Sequence, residues 1–199
     1  MNHSTVNHQA FVTVQSGGLV AIPTETVWGL ACDPFNVSAV QRFYAVKGRD
    51  PSKPSQVLCA SRELAMKLAF LPENEQQQFR QLCEKFVPGP LTVVVPAVSS
   101  LPDWVAPKGK VGVRVPDHPV TLAFLEQCGG YLLASSLNRS AEPPALSHER
   151  ALELKELYDV ILPGEISKGQ SSTVYDFTEH KILREGPISL AEIEAVLNA

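Results

Sequence analysis

Residues 91–115 read LTVVVPAVSSLPDWVAPKGKVGVRV. Two valine-rich runs, LTVVV (91–95) and VGVRV (111–115), bracket a segment rich in Pro, Ser and Gly. Such runs, bounded by turn residues, read as strands. The link between them has no helical period, so it favours antiparallel pairing. The short link at 177–181, between STVYDF and KILRE, implies the same.

Elsewhere strands alternate with helices. LVAIP (19–23) follows Gly17-Gly18, ends at a proline and reads as a buried strand. VLCA (57–60), YLLAS (131–135), DVILPG and STVYDF are further strands. Residues 37–47 place Val37, Val40, Tyr44 and Lys47 at helical spacing. SRELAMKLAF offers Ser61 as an N-cap, and ENEQQQFRQLCEKF buries Phe79, Leu82, Cys83 and Phe86 before stopping at PGP. Pro119 suits the first turn of PVTLAFLEQC. Residues 147–157 read as helical with Ser147 as the cap. The final helix, 189–198, opens with a capping box of Ser189 and Glu192. This order predicts an α/β fold with three layers, a twisted mixed sheet flanked by helices. No repeat, low-complexity tract or long linker divides the chain, so residues 1–199 read as one domain.

Composition limits the function. The chain has 199 residues, 44% of them hydrophobic and 19% charged, enough for a sizeable core. A net charge of −4 argues against gripping a nucleic-acid backbone as the main task. No apolar run is long enough to span a membrane, and MNHSTVNHQA is no secretory leader. The four cysteines form no CxxC pair and stand in no zinc-finger spacing with histidine. They read as reduced, mostly buried thiols of a cytoplasmic protein.

Polar clusters fall at the strand ends, where open α/β sheets bind ligands. They are PTETVWGL (23–30), KGRDPSKP (47–54), PGPLT (88–92), VRVPDH (113–118), SSLNRS (135–140), SSTVYD (171–176) and LREGP (183–187). Each alone has a structural reading. Thr24 and Thr26 would cap a helix, Arg114 would be an edge-strand charge, and Ser136 and Asn138 would form a turn. Together, Lys47, Arg49, Arg114 and Arg184 with Thr24, Thr26, Ser136, Asn138, Ser172 and Thr173 suit a polyphosphate and a small carboxylate. There is no P-loop, GxGxxG or GxSxG, and no Ser/His or Cys/His pair announces a nucleophile. Chemistry here would rest on positioning and charge stabilisation.

The ordered set PTETVWGL, KGR, PGPLT, VGVRVPDHP, SSLN then RS, SSTVYD and ILREG resembles the YrdC/TsaC family of threonylcarbamoyl-AMP synthases over about residues 10–188. The resemblance is to the short, single-domain form. It implies the conversion of L-threonine, bicarbonate and ATP to threonylcarbamoyl-AMP and pyrophosphate. A threonylcarbamoyl-transferase complex would then use the product on tRNA. On this resemblance, Lys47, Arg49, Ser136 and Asn138 carry the catalysis. The ATP site adds Gly48, Lys110, Pro144 and Arg184. Thr24, Arg114, Ala134 and Ser172 meet threonine, with the planar fork of Arg114 on its carboxylate. Mg²⁺ would come bound to ATP, with no direct protein ligand. Weak tRNA contact would accompany catalysis.

The sequence departs from the family pattern in places. Asp50 follows Arg49 where proline is usual, and would pair with Arg49 or help bind Mg²⁺. Ser55 replaces a leucine, Leu137 an alanine and Ala141 a glycine. Ala141 disfavours a positive φ. Trp28 stands for a tyrosine as an aromatic wall. Two alternatives stay open on the residues: an RNA-binding module of the same fold without catalysis, and a carbamoyl-adenylate-forming relative.

Overall fold

The computed structural model describes residues 3–165 and 169–198. The first half runs α1 (His3–Gln15), β1 (Val20–Ile22), β2 (Gly29–Cys32), α2 (Val37–Lys47), β3 (Gln56–Cys59), α3 (Arg62–Lys67) and α4 (Glu73–Phe86). The second half runs β4 (Leu91–Pro96), β5 (Lys110–Arg114), α5 (Pro119–Gln127), β6 (Tyr131–Ser136), α6 (His148–Glu153), β7 (Val160–Ile161), β8 (Thr173–Asp176), β9 (Lys181–Arg184) and α7 (Leu190–Leu197). Among the described residues the strands form one nine-stranded sheet, ordered β7-β1-β2-β6-β3-β5-β4-β8-β9. It is mixed: β4 pairs antiparallel with β5, and β8 with β9, across two links without an α-helix, the first holding only a 3-10 turn at Pro107–Gly109. β3–β5 and β4–β8 are parallel.

Alternation along each strand sorts the side chains onto two faces. Val57, Leu91, Val93, Val95, Val111, Val113, Leu133 and Tyr175 join the larger core cluster, with Phe43 of α2, Phe79 and Leu82 of α4 and Ile193 of α7. The other face carries Val20, Ile22, Ala31, Leu58, Leu132 and Ala134, packed on Ala10 and Val14 of α1 and on Phe124 and Leu125 of α5. Those two helices cover only the β7-to-β3 half of that face. Over β5, β4 and β8 the same face carries Thr92, Val94, Gly112, Arg114 and Val174, and these line a cavity. The three-layer architecture therefore loses one layer at one end, and the cavity lies there.

Two elements carry weak sequence signals. Helix α1 is rich in Asn, His, Thr and Gln, and its buried stripe rests on Ala10 and Val14. Packing on the sheet, rather than propensity, supports it. Strand β2 begins inside the stretch read as a polar loop, and it is buried throughout. It has no alternation to detect, and Gly29 is there for closeness: a Cβ would come within 3.1 Å of Ile22 Cγ1. No helix follows Thr24 and Thr26, so the capping reading fails. The helix read over 147–157 is α6 followed by a 3-10 turn at Lys155–Leu157. All four cysteines are free; Cys32, Cys59 and Cys83 are buried. No helix among the described residues is long and apolar enough to cross a membrane.

The predicted capping box is present: Ser189 Oγ accepts from Glu192 N, while the Glu192 carboxylate accepts from Ser189 N at 2.9 Å. Ser189→Ala should cost about 1 kcal/mol. In a thermal melt that is a fall in Tm of roughly 2–4 °C for a domain of this size. An unchanged Tm would show that packing of Ile193 alone holds α7.

Candidate active site

The cavity has a volume of about 270 Å³. Of the residues singled out in the sequence, Arg49, Lys110, Arg114, Ala134, Ser136, Ser172 and Arg184 line it. Thr24, Lys47, Gly48, Asn138, Pro144 and Thr173 do not. The lining also includes Thr26, Gln56, Thr92 and Gly112, of which sequence reading named only Thr26 among the hydrogen-bonding groups. The signal for Thr92 and Gly112 was present: in LTVVV and VGVRV they alternate with the core valines.

Lys47 ends α2, is 3% exposed, and lies under the loop after β6. Its Nζ donates to Ser136 O, to Asn138 O at 2.8 Å and to Asn138 Oδ1 at 2.9 Å. Burial, and then the nearby charge of Arg49, lower its pKa to about 8. Ser136 Oγ also donates to Asn138 Oδ1, at 2.7 Å, and Asn138 Nδ2 donates to Glu142 O at 2.5 Å. The Asn138 amide oxygen and one of its two N–H groups are thus engaged inside the loop. Ser136 turns its lone pairs, not its proton, outward.

The loop after α2 is held by its own cation. Gly48 terminates the helix at φ 59°, and Arg49 donates through Nε to Lys53 O at 3.0 Å and through Nη2 to Pro54 O at 3.1 Å. Asp50 does not pair with Arg49: its Oδ1 accepts from Ser52 N at 2.9 Å, a bond that lowers its pKa. It lies outside the cavity lining.

Arg114 is 4% exposed. Its Nε donates to Gly89 O at 3.1 Å, and its Nη2 donates to Glu25 Oε1 at 2.7 Å and Thr26 Oγ1 at 2.8 Å. Both ordinary guanidinium forks need Nη2 or Nε, so the fork expected for a carboxylate is committed to the protein. Nη1 is the group left for a ligand. Thr24 sits one step behind: its Oγ1 donates to Val27 O at 2.6 Å and lies 2.8 Å from Thr26 Oγ1. Its single proton being spent, it accepts from Thr26, and Thr26 is the hydroxyl that faces the cavity. Trp28 is not a wall of the cavity. It is fully buried and stacks obliquely on His148, at a centroid distance of 5.4 Å.

Charge is compensated unevenly. Lys110 pairs with Asp176 at 2.9 Å, a contact that raises the lysine's pKa. Arg114 pairs with Glu25. Arg49 and Arg184 make no salt bridge among the described residues. Arg184 donates to Ser172 O at 2.8 Å and Ser172 Oγ at 3.0 Å. Its pKa is lowered by burial, then by Arg114 and Arg49. The lining contains no carboxylate. A polar cavity with uncompensated guanidinium groups attracts anions.

The Sua5/YciO/YrdC family model, described as telomere recombination, matches residues 12–186. The chain belongs to this family. A threonylcarbamoyl-AMP synthase of Halorhodospira halophila is 40% identical over 168 residues, covering 81% of this chain and 83% of that protein. The crystal structure of Pyrococcus abyssi Sua5 complexed with L-threonine superposes with a TM-score of 0.88 at 33% identity. That match covers 98% of this chain and 58% of the archaeal one. Escherichia coli YciO has the same fold, with a TM-score of 0.80 at 23% identity over 96% of this chain and 94% of that chain.

Two outcomes test this geometry. Lys47 titrates lower in the folded state, about 8, than its ordinary 10.5. Between those values the unfolded chain binds the extra proton, so this group makes stability rise with pH; below about 8 its contribution is flat. In urea titrations, the difference in stability between wild type and Lys47→Met should move toward wild type from pH 7.5 to 9.5. A constant difference would place the ammonium in water. Ala141 has φ 69°, the left-handed value that alanine disfavours. Ala141→Gly should therefore stabilise the protein by up to about 1 kcal/mol, after the extra entropy of glycine in the unfolded chain. A loss of stability would mean that the loop gains nothing from glycine there.

Proposed function

We propose that this protein is a threonylcarbamoyl-AMP synthase, which joins L-threonine, bicarbonate and ATP and releases pyrophosphate. The observation that carries this reading is the pair of guanidinium groups, Arg49 and Arg184, that face one cavity without a carboxylate partner. A triphosphate supplies the missing negative charge. The threonylcarbamoyl-AMP synthase relatives and the threonine-bound Sua5 structure support the choice of substrates.

The threonine amine adds to bicarbonate carbon and water leaves, giving a carbamate. A carbamate oxygen attacks the α-phosphorus as the bond to the bridging oxygen breaks, and pyrophosphate departs. No protein nucleophile is needed. Arg49 and Arg184 neutralise charge as it moves onto the leaving group. Arg114 offers Nη1 to the threonine carboxylate, beside Thr26. Lys47 and Asn138 hold the Ser136 loop in place rather than touching phosphate. The lining offers hydroxyls and an amide but no carboxylate, which fits Mg²⁺ carried by ATP phosphates and water, with Ser136 lone pairs accepting from such a water. The product would pass to a transferase complex that modifies tRNA in the cytoplasm, with weak tRNA contact alongside catalysis.

The test is pyrophosphate release from ATP with Mg²⁺ and bicarbonate, with and without L-threonine. Release should require both threonine and bicarbonate. In Arg49→Ala, kcat/KM should drop by roughly 10²-fold or more while the fold is kept. Release that ignores threonine, or an unimpaired variant, would overturn the reading.

A further inference from the structure

Gln56 rises from the cavity floor between two small residues. In register it faces Gly112 of β5 on one side and Ala134 of β6 on the other. Packing does not require glycine at 112: an added Cβ would lie 3.4 Å from Thr92 Cγ2 and 3.7 Å from Gln56 Cβ. The bare backbone instead leaves the floor open beside the amide. Arg114 follows two residues along the same face, about 7 Å further on.

The orientation of the Gln56 amide is fixed by a one-way chain of hydrogen bonds. Thr92 Oγ1 donates to Gln56 Oε1 at 2.6 Å. That length suits O–H···O and is short for N–H···O. The Thr92 proton is spent there, so Ser172 Oγ, 3.0 Å away, donates to Thr92. Ser172 Oγ in turn accepts from Arg184 Nη2 at 3.0 Å. The chain Arg184–Ser172–Thr92 ends on Oε1. Gln56 Nε2 is left with two donors and no acceptor among the described residues, in a half-buried residue that lines the cavity.

We propose that Gln56 Nε2 donates to the side-chain hydroxyl of the amino-acid substrate and thereby selects threonine. This rests on the synthase reading. An amide is neutral, and the anionic groups of the substrates have guanidinium partners elsewhere in the cavity. Among the acceptors that L-threonine itself carries, the neutral hydroxyl is the one that remains. The space over Gly112, beside Val94, takes the methyl group. An amide aimed at a hydroxyl also rejects an analogue that lacks it, because the donor is left unpaired.

The experiment compares L-threonine with L-2-aminobutyrate, which keeps the carbon skeleton and lacks the hydroxyl. Pyrophosphate release and calorimetric binding of each are measured on wild type, Gln56→Leu and Thr92→Val. Wild type should prefer threonine by ~10²-fold in kcat/KM. Gln56→Leu should lose roughly 30-fold with threonine and less than about threefold with 2-aminobutyrate, with KM for ATP unchanged. Thr92→Val, which frees Oε1, should lose part of the same preference. A preference unchanged in Gln56→Leu, or an equal loss with both amino acids, overturns the assignment. If wild type binds threonine but releases no pyrophosphate, the synthase reading fails and the binding ratios still decide the role of Gln56. If wild type does not bind threonine, both fall.

Discussion

A single buried ammonium joins the two halves of the site. Lys47 comes from the end of α2, and the three oxygens around it belong to Ser136 and Asn138 after β6. Ser140 N also donates to Lys47 O at 2.7 Å, so the two segments are tied through backbone and side chain alike. Burying a cation is costly unless its protons are satisfied. Here carbonyl and amide dipoles do this, and no carboxylate consumes the charge. The positive field therefore extends toward the neighbouring cavity, where Arg49 emerges two residues later on a loop it brackets with its own guanidinium.

The same economy appears around the other cations. Glu25 and Asp176 hold Arg114 and Lys110 in place and cancel much of their charge. Arg184 is braced by neutral oxygens alone. The result is a mixed lining, in which the partly neutralised Arg114 and Lys110 stand at the two ends of β5 and the guanidinium groups of Arg49 and Arg184 have no carboxylate partner.

The mixed α/β fold was legible because apolar runs and turn residues alternate so regularly, and because the helix-free links at 96–110 and 177–181 imposed antiparallel pairs. The elements that escaped had no period to read. Strand β2 is buried on both faces, and α1 is a polar-rich segment that the sheet stabilises. At the site, charged and hydroxyl-rich loops were visible as clusters, but their division of labour was not. Whether Thr24 or Thr26 faces the cavity depends on a turn in which Thr24 spends its proton on Val27 O. Likewise Asn138 looks like a ligand group in sequence, and in space it is engaged by Lys47, Ser136 and Glu142. Gln56 lay just past a conspicuous basic loop, and only strand register places it between Gly112 and Ala134.

The alternation that builds the floor has an evolutionary consequence. In β3, β4, β5 and β6 the even positions Gln56, Thr92, Gly112 and Ala134 face the ligand space, and the odd positions Val57, Val93, Val113 and Leu133 fill the core. Neighbours in sequence thus answer to different selective pressures. A change at Gln56, Thr92 or Gly112 alters what the floor can recognise and leaves the packed core opposite it untouched, while a conservative change at an odd position adjusts stability without redrawing the floor. A lineage with this sheet can therefore explore new small-molecule specificities one substitution at a time without first having to rebuild its interior.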